Sequence, residues 1–339
     1  MKKPLLQSEN RVYRTYRGGK MLETMLGKDE PKNSFQPEDW ISSFVEAKNK
    51  NFIPGEGISR VVVDGVSMPI TEVITADDLG PGRKESGVLI KYLDAAERLG
   101  IQVHPTPAFS RRYFGTGYGK TECWHILETA DDAAVYIGFK QGITREKWRA
   151  LYEAQDIAGM LNALHRFAVR KGDTVLVRAG TPHAIGAGCF LLEIQEPTDY
   201  TMRVEKVTVA GETLTPMQIH YGVGEEAMLD CFLYEGLDED AARTRYFLPE
   251  RPLDDLLART ALVTYEDTPC FALERTEAEN APFTPDAAVT LVITQEGTVS
   301  VGEHRLPVKR GDKLFVPYGC GAIAIERGTA LVCYPPRLG

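Results

Sequence analysis

Several polar groups sit inside apolar, strand-like runs where packing alone would not put them. IQVH (101–104) holds Gln102 and His104, and ECWHIL (122–127) holds Glu122 and His125. A further imidazole, His183, closes the small-residue turn AGTPH. Successive side chains of a strand point to opposite faces, so Gln102 and His104 share one face while Val103 packs on the other. In ECWHIL, Glu122 goes with Trp124 and Ile126, and His125 goes the opposite way with Cys123 and Leu127. Either Glu122 or His125 faces a given interior, not both. Two imidazoles, a carboxylate and an amide oxygen suit a borderline divalent cation such as Zn²⁺ and leave positions open for water or a ligand. On composition alone, a single histidine or glutamine in a strand is more often just hydrogen-bonded. On that ground His125, His165 (read in an amphipathic helix), His220 (a helix end) and His304 (the GEHRL turn) are assigned structural roles.

Those groups need a β framework. Residues 1–85 mix short runs with turn signals, including the hairpin-like ISRVVVDGVSMPITEV with Asp-Gly at its centre. Residues 88–92 read as a strand, 93–99 as a short helix or turn, and 101–104 and 133–140 as further strands. The period then changes to three and four, which predicts a helical insertion over 144–168 with Thr144 as N-cap. KGDTVLVRAGTPHAIGAGCFLLEIQ restores the β pattern, with a long strand over 189–195. Polar, acidic residues 211–259 read as helices and linker, with Pro216 at a helix start and GLDEDAARTRYF exposed. Strands return near the C-terminus, where KRGDKLFVPYGCGAIAI echoes KGDTVLVRAGTPHAIGA without a counterpart of His183.

At 339 residues the chain has room for two domains. Its net charge of -9 disfavours a nucleic-acid partner, which needs a basic field. No segment approaches the roughly 18 apolar residues of a membrane helix, and the N-terminus lacks the apolar stretch of a signal peptide, so a cytoplasmic protein is expected. The six cysteines form no C-x-x-C pair and read as reduced core residues.

QVHP, GKTECW, AGTPHAIG and LLEIQEPTDYTMR, in that order, resemble the type I mannose-6-phosphate isomerases, zinc-dependent sugar isomerases of the cupin superfamily. The resemblance covers residues 87–203, takes in YRGGK (16–20), and continues as a degenerate second cupin from about residue 289. It implies a mainly β double cupin: a catalytic domain over 1–210 with the helical insertion, a helical or linker segment over 211–260, and a C-terminal cupin-like domain over 261–339 without a metal site. It implies one Zn²⁺ per chain on Gln102, His104, Glu122 and His183. Lys120 falls on the family's lysine two positions before the glutamate. Glu193 and Arg203 stand ten apart, as the family's strand glutamate and catalytic arginine do. Two departures lie at the sugar end: QEPTDYTMRVEKV lacks the Tyr-Asp-Trp that usually follows the arginine, and Arg178 stands where cupins keep a proline.

Aldose–ketose isomerisation moves a proton between C2 and C1 through an enediolate, so it needs a base and a positive group for the developing oxyanion. The resemblance implies that Zn²⁺ orients and polarises the sugar oxygens, and that Arg203 stabilises the enediolate. Glu193 serves as base or orients Arg203, and Lys120 assists ring opening or binds oxygens. Arg111, Arg112 and Lys120 are the candidates for meeting a phosphate. The expected partner is a sugar phosphate, not nucleic acid or membrane, and the expected state is a monomer or homodimer. Three alternatives stand beside it: an isomerase of another sugar or sugar phosphate, a non-catalytic sugar-binding cupin, and a cupin oxygenase, since two histidines and a carboxylate also make an Fe(II) triad.

Overall fold

The computed structural model describes residues 2–254 and 258–338. Two antiparallel sheets face each other around the residues singled out above. The first has six strands, in the order Thr174–Val177, Glu122–Thr129, Cys189–Gln195, Leu89–Ala95, Glu38–Ile41 and Arg11–Val12. The second has five: Leu164–Ala168, Ala134–Phe139, His183–Ile185, Gln102–Val103 and Met202–Arg203. Their facing sides enclose one apolar core that includes Leu93, Trp124, Ile126, Val135, Ile137, Ile185 and Leu191. The arrangement is that of a cupin.

Each sheet is also covered on its outer face. Cys123, Leu127, Leu176, Phe190, Leu192 and Ile194 pack against Leu262, Phe271, Leu273, Val292 and Leu331 of a C-terminal sheet. Burial on both faces explains why FLLEI and VLIKYL read as continuous apolar runs rather than alternating ones. Behind the five-stranded sheet, Phe139, Leu164 and Met202 pack on Trp148, Tyr152, Met160, Ile219 and Met228 of the helices. In the C-terminal sheet the long strands Val289–Val301 and Ile323–Tyr334 are neighbours. They send Val292 and Leu331 to the interface and Leu291, Ile293, Ala330 and Val332 into a separate core.

The internal echo is structural as well. Thr174–Val177 and Lys313–Val316 both follow a Gly-Asp turn, with Gly172 at φ 92° and Gly311 at φ 91°. Both end before a second left-handed glycine, Gly180 at φ 86° and Gly319 at φ 83°. The Asp64-Gly65 hairpin between Arg60–Val63 and Val66–Pro69 has both turn residues at positive φ, 49° and 83°, the signature of a type I′ turn.

Three local expectations are corrected and one helix is added. The insertion is not one helix: Arg145–Ala154, capped by Thr144, stops at Gln155 in the left-handed region, Ile157–Asn162 follows, and Leu164–Ala168 is a strand. His165 therefore lies on that strand, with Nε2 3.1 Å from the Leu237 carbonyl. Residues 93–95 continue the preceding strand because Leu93 and Ala95 pair with Leu191 and Cys189, a tertiary pairing that overrides the local helical pattern. Part of the stretch before Lys120 is a helix, Pro107–Tyr113, whose cap Thr106 accepts from the Phe109 N–H. GLDEDAARTRYF is not wholly exposed: Glu239–Tyr246 is a helix that buries Ala242 and Tyr246 in the barrel core.

Candidate metal centre and the cavity beside it

Strand pairing within one sheet and the facing of the two sheets bring the candidate ligands together. His183 pairs with Gln102 in the five-stranded sheet, and Glu122 opens the facing sheet's second strand on its inner face. His104, Glu122 and His183 are buried, with ligand atoms all within 4.8 Å of one another. Gln102 Nε2 lies 3.2 Å from His183 Nε2. The choice between Glu122 and His125 is settled by face: His125 points to the other side, where Nδ1 meets Thr174 Oγ1 at 3.0 Å, and burial pushes its pKa down to about 4.

The proton positions follow from the partners. His104 Nδ1 is 3.0 Å from the Tyr200 carbonyl and His183 Nδ1 is 2.8 Å from the Thr181 carbonyl. A carbonyl only accepts, so each Nδ1 carries the proton and each Nε2 presents a lone pair. Burial holds both imidazoles below the ordinary histidine range, with the Lys120 charge adding to the effect at His104. Yet His104 Nε2 lies 2.9 Å from Glu122 Oε2, two acceptors face to face, and both are buried without a hydrogen-bond partner. Such a pair needs a shared cation, a metal ion or a proton, and burial disfavours the protonated imidazole. Trp124 Nε1–H donates to Glu122 Oε1 at 3.0 Å and orients the carboxylate.

The turn that delivers His183 depends on Gly180. Its φ is 86°, and a Cβ there would come within 2.6 Å of Leu233 Cγ. Its N–H donates to the His104 carbonyl at 2.8 Å, so one turn ties both imidazole-bearing segments.

Gln102 also lines a cavity whose wall includes Lys120, Glu193 and Arg203. Lys120 Nζ stands 3.5 Å from Glu122 Oε2 and its pKa is lowered, by burial first and against the pull of Glu122. Glu193 is 3.0 Å from Lys91 Nζ; burial first, then the Glu122 charge, raise its pKa. Arg203 pairs across the strands with Gln102, and its Nη1 donates to the Gln218 carbonyl at 2.6 Å and to the Thr201 carbonyl at 3.3 Å.

No family model matches the chain. It is 28% identical over 326 residues to the mannose-6-phosphate isomerase of Streptococcus mutans, covering 94% of this chain and 93% of that one. The chain is similar over nearly its whole length to mannose-6-phosphate isomerases. Its fold matches the crystal structure of the Bacillus subtilis mannose 6-phosphate isomerase with a TM-score of 0.74 at 19% identity, over 98% of this chain and all of that one. A zinc-bound mannose 6-phosphate isomerase superposes with a TM-score of 0.73 at 15% identity, over 99% and 100% of the two chains.

Beside the candidate metal centre the structure adds residues that sequence reasoning missed. Arg14 is buried, with Nε 2.9 Å from Glu38 Oε2 and Nη2 3.1 Å from Asp199 Oδ1. Glu38 also accepts from Tyr16 and Trp40, and lies 3.9 Å from Lys91. Burial opposes charge at Glu38, but Arg14 and Lys91 outweigh it and hold the carboxyl down to about 2. Burial likewise opposes charge on Lys91, and Glu193 and Glu38 more than compensate, so its pKa is raised. One signal was available: a lysine inside VLIKYL is as anomalous as Gln102 in IQVH.

Arg111 and Arg112 are exposed on the Pro107–Tyr113 helix, outside the cavity lining. The further cavity cations are Arg14, Lys91 and Arg98, the last bound through both guanidinium nitrogens to Glu205 at 2.6 and 2.8 Å. Arg178, in the place of the usual proline, donates to the Asp267 carbonyl at 3.1 Å and so ties the barrel to the C-terminal part. Arg14→Met is expected to lower unfolding free energy by about 3–5 kcal/mol, because two buried carboxylates lose their shared partner. Chemical denaturation at neutral pH measures this, and a change below about 1 kcal/mol would show that the network contributes little to stability.

Proposed function

We propose that the chain interconverts mannose 6-phosphate and fructose 6-phosphate, with one Zn²⁺ held by Gln102, His104, Glu122 and His183. The observation that carries the metal is the buried face-to-face pair of acceptors, His104 Nε2 and Glu122 Oε2. When bound there, Zn²⁺ supplies Lewis acidity toward the sugar's carbonyl and hydroxyl oxygens.

The remaining steps belong to the chain. Glu193, its pKa raised by burial and its position fixed by Lys91, takes the proton from C2 of the open-chain aldose and returns it at C1. Arg203 faces the developing enediolate oxygens: its contacts with the chain are carbonyls and the Tyr221 hydroxyl, so no carboxylate neutralises it. Lys120, its pKa lowered by burial, exchanges a proton at the ring oxygen during opening. The cavity wall carries five cations against four carboxylates. That surplus of one positive charge becomes two once Zn²⁺ and Glu122 are counted, which suits a phosphate monoester of nearly two negative charges. Arg98, rather than Arg111 or Arg112, is the cation we assign to the phosphate end.

Among the described residues no helix is long and apolar enough to cross a membrane. We read the protein as a cytoplasmic monomer or homodimer, which gel filtration checks for its state. The deciding experiment couples fructose 6-phosphate formation to a reporter enzyme, using zinc-loaded and chelator-treated protein. Turnover that vanishes with the metal and returns on zinc addition is expected. Zinc retained with no turnover would redirect the reading to another sugar or to sugar binding.

A further inference from the structure

The candidate metal centre and Arg203 meet at one residue outside the ligand set, Tyr221. Tyr221 ends the short helix Pro216–His220 in the left-handed region, at φ 52° and ψ 30°, a conformation a bulky aromatic residue rarely adopts. From there its hydroxyl reaches a different segment of chain. The Tyr221 O–H donates to the Asp199 carbonyl at 3.0 Å, and the Thr201 N–H donates to the Tyr221 oxygen at 3.2 Å. One phenol thus clamps both neighbours of Tyr200. Burial raises its pKa, so the hydroxyl remains a donor throughout the neutral range.

What the clamp holds is the Tyr200 carbonyl, the acceptor of the His104 Nδ1 proton at 3.0 Å. That hydrogen bond sets which nitrogen of His104 bears the lone pair facing Glu122. The Tyr200 ring is fixed at the same time, stacked on Phe114 at 4.0 Å and 5° and edge-on to Tyr221 at 5.2 Å and 82°. The Asp199 side chain is held on Arg14 and on the Lys48 N–H, at 2.8 Å for the latter. The same helix supplies the Gln218 carbonyl that fixes Arg203.

We infer that Tyr221 is a positioning residue for the isomerase site: through the 199–201 segment its hydroxyl orients His104 for the metal, while its helix orients Arg203. This rests on the metal assignment under Proposed function and extends it to a segment whose sequence reads only as polar linker. It gives the helix a task in the chemistry.

The test is Tyr221→Phe, which removes the hydroxyl and keeps the ring in its stack. Zinc affinity is read by competition with a chromophoric chelator, thermal unfolding is followed on metal-free protein, and kcat and KM are measured on zinc-saturated protein. Zinc affinity is expected to fall about tenfold, the lower end of what losing an orienting partner does, with kcat reduced and KM little changed. Phe114→Leu is the control for packing: it is expected to lower Tm and to leave zinc affinity within about twofold. An unchanged zinc affinity in Tyr221→Phe overturns the inference whatever happens to activity or Tm. An equal loss of affinity in Phe114→Leu overturns it too, because packing rather than the hydroxyl would then hold Tyr200. Failure of the parent protein to isomerise mannose 6-phosphate would defeat the substrate reading but leave the affinity comparison intact.

Discussion

His183→Ala is expected to abolish tight zinc binding and bring isomerase turnover to background. His183 is fully buried, its Nδ1–H is committed to the Thr181 carbonyl, and its Nε2 faces Gln102 and Glu122 at 3.2 and 3.5 Å. Removing it deletes one of three donors within 4.8 Å of each other, and Gln102 and Glu122 lose a shared neighbour. The affinity loss should exceed the roughly 10–100-fold that follows loss of a group that only orients a ligand. Metal analysis after gel filtration gives the stoichiometry, and the coupled assay gives the rate. Full activity in metal-free parent protein, or a zinc-replete His183→Ala enzyme, would end the metal assignment.

Arg203→Ala is expected to separate metal from chemistry. Its guanidinium bonds two backbone carbonyls and the Tyr221 hydroxyl, so its loss leaves no carboxylate orphaned and the fold should hold. Zinc affinity should stay within about twofold while kcat falls by about 10²–10³, the size typical of losing one donor aimed at a developing oxyanion. KM should change less than kcat, since an interaction made chiefly in the transition state contributes little to ground-state binding. Arg203→Lys should restore only part of the rate, because a point charge cannot reproduce the two-pronged guanidinium. Turnover retained in Arg203→Ala would make the arginine a structural tie between the Met202–Arg203 strand and the Pro216–His220 helix.

The ligand set was readable because β geometry is local. Side chains two apart share a face, so Gln102 with His104, and Glu122 away from His125, follow from spacing alone. The left-handed glycines at 172 and 180, repeated at 311 and 319, made the duplicated β unit visible, since few residues other than glycine tolerate that backbone. The resemblance then assigned the four ligands and ordered Lys120, Glu193 and Arg203. The short helix or turn expected from residue 93 and the single helix over 144–168 failed for one reason, the former over residues 93–95. In both, strand partners distant in sequence, 189–195 and 134–139, take up the backbone and override a local period.

By itself, then, the sequence determined the β class, the shared strand face of Gln102 and His104, and the metal chemistry of the candidate donor set. Only the tertiary structure decided that Arg14, Glu38, Lys91 and Asp199 form one buried charge network beside the metal site. The same holds for the outward placement of Arg111 and Arg112, and for the two hydrogen bonds that join Tyr221 to Asp199 and Thr201. The physical reason is distance along the chain. Which residues share a strand face is fixed by bonds between neighbours, whereas Arg14 meets Asp199 across 185 positions, and only the closing of two sheets brings opposite charges that far apart out of water together.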